Sequence, residues 1–250
     1  MVRPVGKQVL RAGILCGAFV AVYLIAVWTP WGQRTENSLI RGYQDQAYIY
    51  ALNDSIGVPP LSAEFLTIGV GLVGIAVVAA VRRQWRAGGV SLGCVVLSIG
   101  AVEVLAKYVL PRPGLVDAEQ NLVATSFPSG HVAIAAALVL GAFLVAADRV
   151  RPYVVVVGAP WLAITAAGVQ ALCWHRPSDV LGATLLVCAV FSLGMTLLPA
   201  RRGIPVLPTL GLAVLGAVPA ALREDWLTGP LVFAAAAWGC AVLLLVTARR

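Results

Sequence analysis

Apolar windows of about twenty residues, the length a helix needs to cross the hydrocarbon core of a bilayer, recur along nearly the whole of this 250-residue chain. Inside such a window every backbone N–H and C=O must be bonded within the segment, so the windows are read as helices. They fall roughly at 10–29, 63–81, 88–110, 131–147, 153–174, 177–198, 205–222 and 229–247, which predicts eight helices. Composition agrees: 60% of residues are hydrophobic, 12% are charged and mean hydropathy is +0.90, too little polar surface for a water-soluble domain. The expected fold is all-α, a polytopic transmembrane helix bundle.

Arg3, Lys7 and Arg11 precede the first window as they would in a secretory leader. That window is long, however, and runs into VWTPWG with no small-x-small cleavage site, so it is expected to be a retained helix. The five cysteines, Cys16, Cys94, Cys173, Cys188 and Cys240, lie inside or at the ends of windows without metal-ligand spacing. They are read as packing residues, and neither a metal nor another cofactor is expected.

The net charge of +7 is assigned to membrane orientation and not to nucleic acid, because the basic residues sort by connection. Arg3, Lys7, Arg11, Arg82, Arg83, Arg86, Arg149, Arg151, Arg201, Arg202, Arg249 and Arg250 fall at one end of the alternating windows. Arg34, Arg41, Lys107, Arg112, Arg176 and Arg223 fall at the other, with most of the acids. The richer end is the cytoplasmic one by the positive-inside rule, which predicts both termini inside a plasma membrane. In the long connection after the first window, Leu39, Ile40, Tyr43, Ala47, Tyr50 and Ala51 recur at helical spacing. They predict an interfacial amphipathic helix that caps the bundle or gates lipid access. The last two windows hold no polar residue with a chemical assignment, and packing or self-association into a homo-oligomer is their expected use. Glu224 and Asp225 in the connection between them read as solvated acids.

Three short segments at the less basic end carry both histidines: EVLAKYVLPRPG (103–114), SFPSGHV (126–132) and WHRPSDVLG (174–182). A pocket built from Lys107, Arg112, His131, His175 and Arg176 suits an anion. Arginine offers a planar fork of donors, and lysine a mobile point charge. Ser129 and Gly130 would add backbone N–H groups at the positive end of a helix. Pro128 and Ser129 are also ordinary helix-starting residues. Asp179 follows His175 by four residues, so its carboxylate can fold back on one ring nitrogen and leave the other free. Glu103, four residues before Lys107, is expected to pair with it on one helix face.

The three segments, in this order, resemble the type 2 phosphatidic acid phosphatase (PAP2) superfamily, whose pattern is a Lys with a downstream Arg-Pro, then PSGH, then Ser-Arg followed by His-x-x-x-Asp. PSGH is complete at 128–131, and HRPSD at 175–179 supplies the last element. The resemblance implies a six-helix core, residues 1–200, with residues 201–250 as a two-helix extension. It also implies metal-free hydrolysis of a phosphomonoester or diphosphate. His175 would be the nucleophile, Asp179 its orienting partner and His131 the general acid and base, with Lys107, Arg112, Ser129 and Gly130 on the phosphate oxygens. A lipid phosphate or polyprenyl diphosphate at the extracytoplasmic face is the implied substrate. A phosphotransferase of the same fold and a noncatalytic lipid-phosphate binder or transporter are the alternatives. Two positions depart from the pattern: Arg112 follows Lys107 by five residues with Gly114 at the usual place, and Gly168 and Val169 stand where Ser-Arg is usual. Arg176, or a hydrogen bond from Gln170, is the expected compensation.

Overall fold

The computed structural model describes residues 4–40, 59–118, 126–199, 207–221 and 228–249. They form nine helices and no strand: α1 Pro4–Val27, α2 Pro30–Ile40, α3 Glu64–Val81, α4 Trp85–Val104, α5 Gly130–Val145, α6 Arg151–Ala171, α7 Pro177–Gly194, α8 Leu207–Ala221 and α9 Thr228–Ala248. A π-helical turn, Leu105–Val109, extends α4. Six segments are long and apolar enough to cross a membrane: Val5–Val27, Glu64–Val81, Trp85–Val109, Arg151–Ala171, Pro177–Leu197 and Leu231–Ala248. The chain is a multi-pass membrane protein. The expected windows around α5 and α8 also form apolar helices, but shorter ones, Gly130–Val145 and Thr209–Val218.

α5 is the hub, packed by α3, α4, α6 and α7. It is apolar on every face and almost entirely buried, as expected of a helix surrounded by other helices. Small residues let its neighbours approach closely, which is how helices associate where lipid offers no hydrophobic contrast. At Gly141, for example, an added Cβ would collide with Ile75 and Val95. α1, α3 and α4 keep large apolar side chains on the outside, among them Ile14, Phe65, Val73 and Leu97, the mark of lipid-facing surface.

At one end of the bundle, arginines cap helix C-termini whose last carbonyls lack partners. Arg11 donates to the carbonyls of Thr247 and Arg249, Arg82 to that of Val145, and Arg86 to that of Leu197. Arg151 bonds the Leu144 carbonyl and pairs with Asp148. The basic residues that sorted together in the sequence thus also tie together α1 and α9, α3 and α5, and α4 and α7. Both histidines are at the opposite end.

α2 is the element the windows did not predict. Pro30 opens it, and the Thr29 hydroxyl accepts from the Gly32 N–H. At Gly32 any Cβ would overlap the Ile25 carbonyl, so the α1–α2 bend requires glycine. Its buried face is polar: Gly32, Gln33, Glu36 and Asn37. Gln33 donates to the carbonyls of Val27 and Pro113 and accepts from the Leu115 N–H, while the Tyr23 hydroxyl donates to the Pro111 carbonyl. The connection after α4 is thereby strapped to α1 and α2. Of the expected interfacial helix, Leu39 and Ile40 end α2, and Tyr43, Ala47, Tyr50 and Ala51 lie outside the described residues. α8 and α9 pack on α6, and α9 also on α7. Cys94, Cys188 and Cys240 are buried and free, Cys16 is exposed and Cys173 half-buried.

Candidate active site

α6 ends in a reversal that presents His175. Cys173 adopts φ 57°, and the N–H groups of Trp174 and His175 both donate to the Val169 carbonyl, at 3.0 and 3.1 Å. α7 then begins at Pro177, and fully buried Asp179 caps it by accepting from the Arg176 N–H at 2.8 Å. The same carboxylate oxygen is 3.4 Å from Nδ1 of His175, and that nitrogen is 3.1 Å from the Ser126 carbonyl. Two acceptors on Nδ1 assign it the proton and leave Nε2 with its lone pair.

The turn before α5 is held from both sides. The Ser129 N–H donates to the Asp179 carbonyl at 3.1 Å. The Phe127 ring lies 5.2 Å from Phe19 and 5.3 Å from Tyr23, centroid to centroid. It also fills the space a Cβ on Gly182 would occupy. This places the N-terminus of α5 beside that of α7. The rings of His131 and His175 are 6.2 Å apart at 65°, and Trp174 lies 5.5 Å from His131. The Ser129 hydroxyl is buried without a hydrogen-bond partner among the described residues. Open space surrounds Gly130.

Two arginines border this cluster. Arg176, 4% exposed, donates from Nη1 to the Ser126 hydroxyl at 2.7 Å. The Arg112 side chain is equally buried and donates from Nη2 to Asn37 at 3.3 Å, with Nη1 4.0 Å from Glu36. Burial, then the nearby Arg176 charge, lowers the Arg112 pKa, the mark of two cations sharing one site. Glu36 Oε1 accepts from the Ser178 N–H at 3.0 Å. Its pKa is raised to about 7 by burial first and by the Asp179 charge second, against the hydrogen bonds from Ser178.

His131, His175, Asp179, Ser129, Gly130, Arg112 and Arg176 are therefore brought to one end of the bundle. Lys107 is not with them. Its side chain is 59% exposed on the π-helical turn and pairs with Glu103 one turn earlier. Gln170 is turned away as well: fully buried, it donates to the carbonyls of Ala166 and Phe233, toward α9, so it cannot contact a phosphate at this site. Val169 is buried and contributes its carbonyl, not its side chain.

Four participants were not singled out from the sequence: Glu36, Asn37, Gln33 and Ser126. The first three stand at i, i+3 and i+4 spacing on α2, which was a readable sign of one polar face. Ser126 acts through its carbonyl as well as its hydroxyl, and no side-chain pattern announces a carbonyl. An apolar cavity of about 760 Å³ between α3, α5 and α6 holds none of these residues and is not the anion site.

No curated protein and no solved structure gives a significant match to the chain. Both histidines, Asp179 and both arginines lie within residues 88–203, and it is this stretch of the chain that matches the model of the PAP2 superfamily.

Proposed function

We propose that the protein hydrolyses the terminal phosphate of a lipid phosphate or polyprenyl diphosphate in two steps, without a metal, through a phosphohistidine on His175. The observation that carries this is the doubly held Nδ1 of His175, which directs Nε2 as a nucleophile, opposite His131 with a ring separation of 6.2 Å. Reacting atoms approach to about 3 Å before bond formation, and an acid must lie about 3 Å from the oxygen it protonates. Both imidazoles must therefore border one phosphoryl group, and rings that are direct neighbours at the helix ends are placed to do so.

In the first step Nε2 forms a bond to phosphorus, the bond to the leaving oxygen breaks, and His131 in its protonated form gives that oxygen its proton. In the second step His131, now neutral, takes a proton from water as the water oxygen bonds phosphorus and the P–N bond breaks. Inorganic phosphate leaves, and both histidines return to their starting states. Asp179 and the Ser126 carbonyl hold the Nδ1 proton throughout and stabilise the charge on the substituted ring. The N-terminal turn of α5 with Ser129 and Gly130, and the guanidinium groups of Arg112 and Arg176, receive the phosphoryl oxygens. Arg176 supplies the charge that Val169 lacks: it is buried at the site and anchored on Ser126.

A lipid substrate follows from the site's position at the ends of membrane helices, where a headgroup phosphate already resides. The extracytoplasmic face follows from the arginine-capped opposite end, which the positive-inside rule assigns to the cytoplasm. The noncatalytic binder is the second reading, favoured by Lys107 facing Glu103 and by the apolar Val169.

The test is phosphate release from a panel of lipid phosphates by purified protein with a chelator present. Release is expected from the parent and not from His175→Ala. Release by that variant, or loss on chelation, overturns the phosphohistidine scheme. An inactive parent that still binds the lipids establishes the binder, and phosphate transferred to an added alcohol identifies a transferase.

A further inference from the structure

The acid in this cation-lined site is unexpected. Glu36 comes from α2, outside the stretch that matches the family model. Its Oε1 is used by the Ser178 N–H, but its Oε2 makes no hydrogen bond among the described residues, and neither does Nη1 of Arg112 opposite it. The two buried atoms are 4.0 Å apart, close enough for charge attraction and too far for a hydrogen bond. A buried polar group left in this state is costly. An oxygen of an incoming phosphoryl group would complete the guanidinium, and a proton would complete the carboxyl.

We infer that Glu36 is a built-in competitor for the phosphate site, its carboxylate holding Arg112 when the site is empty and yielding it, with uptake of one proton from solvent, when a phosphoryl dianion arrives. This rests on the phosphate-site assignment above and adds a device that couples anion binding to protonation. The groups facing Glu36 are Arg112 from the connection after α4, and Arg176, Asp179 and Ser178 from the start of α7. α1, packed on α2, has Tyr23 near this end, its hydroxyl engaged by Pro111. Residues 229–239 of α9, which also touches α2, include no titratable side chain. Asp179 opposes ionisation of Glu36 while Arg112 and Arg176 favour it, so two carboxylates and two cations are balanced until an added dianion tips the balance toward neutral Glu36.

A carboxyl that titrates at about 7 makes this visible between pH 5.5 and 8.5. Sulfate is the probe, because its charge is constant across that range. Glu36→Gln keeps the acceptor for Ser178 and removes the competitor. Its sulfate affinity is expected to equal the parent's at pH 5.5 and to exceed it roughly tenfold or more at pH 8.5, where only a small fraction of the parent is in the binding-competent form. The ratio of the two proteins cancels pH effects common to both. A ratio that stays flat with pH, or a variant weaker at both pH values, overturns the inference and leaves Glu36 as a fixed support for Arg112. If Glu36→Gln does not fold, Arg112→Gln serves: it should lose more sulfate affinity at pH 5.5 than at 8.5, and an equal loss at both overturns the competitor. Sulfate binding requires no turnover. A flat ratio in a protein that hydrolyses lipid phosphates rejects the competitor alone, and a pH-dependent ratio in an inactive protein rejects the hydrolase alone.

Discussion

The backbone N–H of Ser129 donates to the Asp179 carbonyl across 3.1 Å, joining the first turn of the helix that carries His131 to the first turn of the helix that orients His175. The relative placement of the two imidazoles therefore depends on main-chain registration between α5 and α7, with Phe127 as the wedge that keeps it.

Gly182→Ala tests that registration. The new methyl overlaps the Phe127 ring, which cannot swing aside because Phe19 and Tyr23 pack against it. Overpacking of this kind costs about 1–3 kcal/mol, and displacement of reacting groups by about 1 Å costs on the order of a hundredfold in rate. The expected outcome is a large fall in kcat with a modest drop in Tm, read by steady-state kinetics and thermal unfolding in detergent. Unchanged kcat would show that the histidines do not depend on this contact.

Asp179→Asn preserves shape but removes the charge that Nδ1 of His175 and the N-terminus of α7 both use. Removing an orienting carboxylate from a catalytic histidine costs up to about 10⁴-fold in kcat. KM should change far less, since Asp179 is fully buried behind His175 and the Arg176 N–H. Stopped-flow or radiolabel assays measure both.

Arg176→Ala should lower kcat/KM by about a hundredfold, the usual loss for one donor to a developing oxyanion. Arg176→Lys should recover only part of it, since a lysine cannot reproduce the planar fork. Parent-like turnover by the alanine variant removes Arg176 from the phosphate site.

Stability should depend on pH through Glu36. Its pKa is about 7 in the folded protein against an ordinary value of 4.5, so the fold binds the extra proton between those values. Its contribution is complete below about pH 4.5 and is lost as pH rises through 7, by up to roughly 3 kcal/mol. Tm of the parent should fall over that window relative to Glu36→Gln. A difference in Tm that does not grow from pH 5 to 8 contradicts the buried, charge-opposed placement of this carboxyl.

Orientation is tested by impermeant thiol labelling of single cysteines in intact cells. Asp117→Cys, near the histidine end, should label from outside. Arg86→Cys, at the arginine-capped end, should label only after permeabilisation. The reverse pattern places the site on the cytoplasmic face.

The positions of the membrane helices were legible from the sequence because hydropathy sums over neighbours, and so does the alternation that puts Arg11, Arg82, Arg86 and Arg151 at one end. PSGH and HRPSD were legible for a similar reason: a helix start and an i, i+4 pair are local. Lys107 shows the limit of such patterns. Both Glu103 and an anion site were open to it, and in the folded chain the carboxylate one turn away on the same face holds it. The inward polar face of α2, the meeting of Glu36 with Ser178 across 142 residues, and the carbonyls of Val169 and Ser126 that hold His175 were decided only by tertiary structure. Buried polar groups take whatever partners helix packing brings within about 3 Å, and that choice is made between segments remote in sequence, where local composition carries no information.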